Sequence, residues 1–138
     1  MSDIAITAAS VVPSASAVIN NSYKAASAIT AGQVVYVLAG TQTVGLSDAL
    51  TAAPVNTVLG IAVNNAATGQ PVAVCTSDPA LAIGATVASG VPYFMSGNNA
   101  GGIAPFADLA TGWKDVCLGI GVSTSAIALN PIIGGTHA

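Results

Sequence analysis

One motif occurs twice in this chain: Thr57-Val58-Leu59-Gly60-Ile61-Ala62-Val63 returns as Val116-Cys117-Leu118-Gly119-Ile120-Gly121-Val122, 59 positions later. Other landmarks keep nearly the same offset. Gly32 to Gly90 is 58 positions, Tyr36 to Tyr93 is 57, and Val44-Gly45-Leu46 to Ile103-Ala104-Pro105 is 59. The chain is therefore expected to fold as two related units, about 29–79 and 88–135. Read as an alternating strand, each motif places its large side chains on one face, Leu59, Ile61 and Val63 or Leu118, Ile120 and Val122. These six are the expected core. The other face carries Val58, Gly60 and Ala62 or Cys117, Gly119 and Gly121, and a nearly bare face suits the close approach of another backbone or another chain.

Composition says what such units must do at their surface. Hydrophobic residues make up 53% of the 138 and charged residues 5%, against roughly 25% charged in ordinary soluble domains. The charged set is Asp3, Asp48, Asp78, Asp108, Asp115, Lys24 and Lys114, with no Glu and no Arg. A domain so poor in charge is expected to have much of its surface covered by neighbours. Net charge −3 with two isolated lysines argues against nucleic acid, which is held by clustered Lys and Arg, and against an anionic membrane surface. Gly, Pro, Asn and Thr interrupt every apolar stretch before about 18 residues, so no spanning helix is expected. Met1-Ser2-Asp3 lacks a basic leader, so synthesis and folding in a reducing cytosol are expected.

Val, Ile and Thr in short runs punctuated by Gly, Pro and Asn, with helix formers scarce, predict an all-β domain. Strands are expected at 4–8, 34–38, 43–46, 58–63, 72–76, 86–88, 93–95, 102–104, 116–122 and 126–133. Turns are expected at 30–33, 64–65, 68–71, 77–79 and 96–102. Asp48 and Asp108 each precede a glycine-bearing strand and read as local caps. Residues 1–28 lie outside the duplication and read as an N-terminal arm or an edge strand. An arm would reach a neighbour by strand addition, with Ile4, Ile6, Val11 and Val12 as contacts.

Groups able to do chemistry are sparse. His137 is next to last, in a Gly-Gly-Thr tail expected to be mobile, which leaves a Ser-His-Asp or Cys-His arrangement without a positioned base. Asp48, Asp78 and Asp108 sit in turn signals, where capping accounts for each. Gly97 to Gly102 lacks the lysine and spacing of a phosphate loop. Cys75 and Cys117 are not repeat-equivalent and read as small buried thiols. No catalytic residue, metal ligand or cofactor is expected. Tyr36 and Tyr93 are expected at one shared core position, and Trp113 is either a core edge or an interface anchor.

Taken in order, Ile29-Thr30-Ala31-Gly32-Gln33-Val34-Val35-Tyr36, Val58-Leu59-Gly60-Ile61-Ala62-Val63-Asn64, Gly69-Gln70-Pro71-Val72, Gly102-Ile103-Ala104-Pro105 and Asp108-Leu109-Ala110-Thr111-Gly112-Trp113 resemble the capsid decoration, or cement, proteins of tailed bacteriophages. The resemblance spans roughly residues 2–135. It implies a β-sandwich or β-barrel-like subunit, no enzymatic activity, and many copies bound to the major capsid protein on the virion exterior, with a homotrimer as the first expectation. A phage fibre or adhesin-like carbohydrate-binding module is the alternative, for which Trp113 is the one candidate platform.

Overall fold

The computed structural model describes residues 3–38, 40–51 and 54–137, and it is all-β. Its strands are β1 (Val11–Val12), β2 (Val18–Ala25), β3 (Val34–Val37), β4 (Thr43–Leu46), β5 (Gly60–Ala62), β6 (Pro71–Ile83), β7 (Pro92–Met95), β8 (Ile103–Pro105), β9 (Lys114–Gly121) and β10 (Ala126–Thr136). Two short 3-10 turns, Ala8–Ser10 and Phe106–Asp108, are the helical elements among the described residues.

Strand pairing closes a ring in the first half. β2 pairs with β4, β4 with β3, β3 with β5, β5 with β6, and β6 returns to β2. Five strands enclose a space that side chains fill. Ala25, Ile29, Val35, Val44, Ala62, Ala66, Val72 and Val74 form that interior cluster. The second half is a sheet in the order β6-β10-β9-β7-β8, with β1 added on β6. β6 serves both halves: residues up to Ser77 pair with β2 and β5, and residues from Asp78 onward pair with β10 and β1. The turn expected at 77–79 is thus continuous strand, because a partner is waiting on either side of Asp78.

The two halves pair alike. β4-β3-β5-β6 and β8-β7-β9-β10 share the same order and the same antiparallel sense. Val34 faces Ile61 and Val35 faces Gly60, as Pro92 faces Ile120 and Tyr93 faces Gly119. This register pairs Tyr93 with Val35 in the comparison, and Tyr36 with Phe94. The expected equivalence of the two tyrosines is off by one residue, since a single-position slip moves a side chain to the opposite face. Tyr93 is buried and its hydroxyl accepts a hydrogen bond from the Ala88 amide at 2.8 Å, whereas Tyr36 is half-buried.

The large residues of the motif do not share a face. Tyr93 pairs with Gly119 but Phe94 pairs with Cys117, so Leu118 is an extra residue, a β-bulge. The bulge turns Leu118 inward and Ile120 outward. In the first unit Leu59 likewise packs on the barrel-interior cluster while Ile61 joins the other core cluster. Of the six expected core residues, Ile61 and Leu118 are buried, Leu59 and Val63 are half-buried, and Ile120 and Val122 are exposed. The glycine itself is where backbones meet. A Cβ on Gly60 would lie 2.1 Å from the Cys75 carbonyl oxygen, and one on Gly119 would lie 1.9 Å from that of Ala128.

Residues 3–17 are folded against their own domain; Met1 and Ser2 of the expected arm lie outside the described residues. The Ile4 amide donates to the Ile103 carbonyl on β8 and the Thr7 amide to the Gly84 carbonyl beyond β6. The segment therefore straps the gap between those strands. It is not the strand expected at 4–8, and 86–88 is not a strand either. β2, by contrast, lies inside the region read as arm.

Candidate interaction surface

Three strands carry a row of side chains at matched register in each unit. In the first, Val34, Ile61 and Cys75 are adjacent across β3, β5 and β6. All three are fully buried, in a cluster that also holds Tyr93, Met95, Leu118 and Ile127 of the second unit. In the second, Pro92, Ile120 and Ala128 occupy the corresponding row across β7, β9 and β10. That row is open: Ile120 is 48% exposed where Ile61 is 0%. The same apolar row is thus sealed once and left partly open once, with Pro92 and Ala128 half-buried beside the exposed Ile120.

Around Ile120 the surface forms a groove of about 260 Å³ lined by Cys117, Gly119, Ile120, Ala128, Asn130 and Ile132. Gly119 lets β9 and β10 approach so closely that the groove floor is backbone, and Ile132, 62% exposed, forms a wall. Val122, two positions beyond Ile120, is also exposed. None of the groove residues is charged. Beyond Leu129, no strand of the described residues borders β10 on the side away from β9.

The sequence-expected contact residues are dispersed. Ile4 and Ile6 are half-buried against the core, and Val11 is buried and paired with Ile83; only Val12, paired with Ala82, is well exposed. Trp113 is 3% exposed, beneath Gly97, whose added Cβ would lie 2.6 Å from the indole Nε1. It is a core residue, and its ring is not available as a glycan platform. Sequence reasoning placed Ile120 in the core and did not single out Ile132. Asn130-Pro131 and the glycine pair after Ile133 mark the end of β10's coverage, a signal that could have drawn attention to this strand.

Ionisable groups are tied to local structure. Asp78, 1% exposed, accepts hydrogen bonds from the Ser14 hydroxyl, from the Ser14 amide at 2.8 Å and from the Ala80 amide at 3.0 Å. Burial opposes its charge, but these donors outweigh it and hold the pKa below the ordinary value. Asp48 accepts from the Leu50 amide at 2.9 Å, the local cap its position suggested. Asp3 accepts from Ser96 at 2.6 Å and Asn99 at 3.0 Å, pinning the strap. His137 does not lie in a mobile tail: its amide donates to the Trp113 carbonyl at 2.7 Å and its Nδ1 sits 3.2 Å from Asp115 Oδ1. Burial, with the nearby Asp78 carboxylate, pushes the Cys75 thiol up to about 11; burial also raises that of Cys117, which is half-buried rather than enclosed. Both thiols are neutral at pH 7, a poor state for nucleophilic attack. Among the described residues no three of His, Cys, Asp and Glu group as metal ligands would. No family model, no curated protein and no solved structure matches this chain.

Proposed function

We propose that this chain is a structural component of a tailed-phage virion, a decoration protein that binds the major capsid protein on the outside of the shell in many copies and itself assembles, most simply as a homotrimer. The observation that carries this reading is a β domain whose most distinctive surface is a neutral apolar face rather than a cleft of convergent ionisable groups. The ordered resemblance along residues 2–135 supports it. A protein that acts by buried area multiplied over copies needs a rigid scaffold and contact faces, not a catalytic centre. Bound only to the closed shell, it would stabilise that state by mass action. The test is co-sedimentation of the purified chain with capsids that lack it, followed by imaging. Saturable binding at a symmetric set of sites and a raised temperature of capsid disruption are expected; absence of binding would overturn the reading.

A further inference from the structure

We propose that the groove holding the N-terminal segment is a site of exchange between copies of this chain, in which residues 3–12 of one copy seat in the groove of another as they seat in their own. Three glycines from separate loops shape the groove for this segment. A Cβ on Gly32 would lie 2.5 Å from Ile6 Cγ2, one on Gly84 would collide with the Thr7 carbonyl oxygen, and one on Gly102 with the Asp3 carboxylate. Polar groups read the same five residues in register. The Asp3 carboxylate accepts hydrogen bonds from the fully buried Ser96 and from Asn99, the Ile4 amide donates to the Ile103 carbonyl, and the Thr7 amide donates to that of Gly84. Ile4 and Ile6 pack on the core while Ala5 and Thr7 are exposed, the alternation of an extended ligand in a groove.

The occupant follows from what the groove contacts. It recognises Asp3, Ile4, Ile6 and, through β1, Val11, a combination that every copy of the chain carries and an unrelated peptide would have to match at all four positions. The recognising groups are distant in the chain, Ser96 and Asn99 lying 93 and 96 positions from Asp3, and none of them belongs to residues 13–17, which lead the segment into β2. The groove therefore makes the same bonds with the segment of a second copy, and the two arrangements differ only in this link. The link is a turn, with the Ala17 amide donating to the Ser14 carbonyl at 3.2 Å and Ser14 bonded to Asp78, and it lies between β1 and β2, so it opens without unpairing either sheet. Five residues extended span roughly 17 Å, which gives the segment reach to a neighbour. A segment tethered beside its own groove has an effective concentration in the millimolar range, and only neighbours at comparable local density compete with it. Many copies on one shell supply that density, and to this extent the inference rests on the reading above.

The test uses the full-length chain without capsids, so its failure is separable from a failure of capsid binding. The probe is a peptide of residues 2–12 with a dye at its C-terminus, and the receptor is the chain carrying Asp3→Ala and Ile6→Ala, which weakens the resident segment and leaves the groove intact. The peptide should bind saturably and raise the melting temperature of that variant toward the wild-type value. The same two substitutions in the peptide should weaken binding at least about tenfold, since they remove the charge-assisted hydrogen bonds and the side chain seated on Gly32. Adding Gly102→Ala to the receptor, which crowds the Asp3 seat, should weaken the native peptide by a similar factor. A variant that melts cooperatively yet does not bind the peptide would overturn the proposal. The wild-type chain supplies a readout that no substitution can unfold. Held at millimolar concentration and diluted rapidly onto a sizing column, it should contain a dimer fraction that grows with the concentration of incubation and reverts slowly. Monomer alone at every concentration would overturn the proposal, as would a dimer fraction that Gly102→Ala leaves unchanged.

Discussion

Gly60 and Gly119 show how one residue type can be required twice for the same reason. Each sits where a neighbouring carbonyl occupies the space of a side chain, Cys75 in one unit and Ala128 in the other. Gly60→Ala and Gly119→Ala should each lower the free energy of unfolding by about 1–3 kcal/mol or more, since backbone must move to admit the methyl group. Gly135→Ala is the control. Nothing lies within 4 Å of its added Cβ, and its change should stay within about 0.5 kcal/mol in the same urea titrations. Equal effects at all three positions would refute the close-approach account. Asp78 gives a prediction in pH. Its carboxylate, favoured by Ser14 and Ala80, has a folded-state pKa below its unfolded one. Its contribution is therefore complete above about pH 4 and is lost as pH falls through the folded value. Melting temperature should drop more steeply on acidification in the wild type than in Asp78→Asn, and parallel curves would show that Asp78 is not the linked group.

At the scale of elements, the N-terminal segment is the decisive case. Ile4 and Ile6 pack on the core, Val11 and Val12 pair with β6, and Asp3 is bonded to Ser96 and Asn99. Deleting residues 1–12 should therefore lower the melting temperature and broaden the transition, because the gap between β8 and β6 is opened to water. A truncated chain that melts as the full-length one does, yet fails to assemble, would restore the free-arm model. β2 was hidden in the sequence because it lies in the Ala-, Ser- and Asn-rich stretch outside the duplicated motif; the segment is extended because β4 and β6 offer it partners on both sides. The bulge at Leu118 was equally hidden. Periodicity alone places Leu118 and Ile120 together, and only the opposing residues of β7 show that one position is inserted.

For the whole molecule, scarcity of charge sets the expected response to salt. Five aspartates and two lysines in 138 residues leave little Coulombic attraction to screen. Self-association measured by sedimentation should change little between low and high salt, or strengthen as salt favours apolar burial, with the same trend for binding to undecorated capsids. A steep loss with salt would require an ionic contact that the β9–β10 face does not offer.

The all-β character and the cap at Asp48 were legible in the residues themselves, because β propensity and an Asx turn act over a few neighbouring positions. What covers each face was not. Ile61 and Ile120 stand in the same local sequence, Leu-Gly-Ile, and the same register, yet one is sealed and the other open. The difference arises from β6, which joins the units so that side chains of the second cover the first, while among the described residues no further sheet covers the outward side of Ile120. Local pattern decides what a strand is; only the packing of distant strands decides which of its sides meets water.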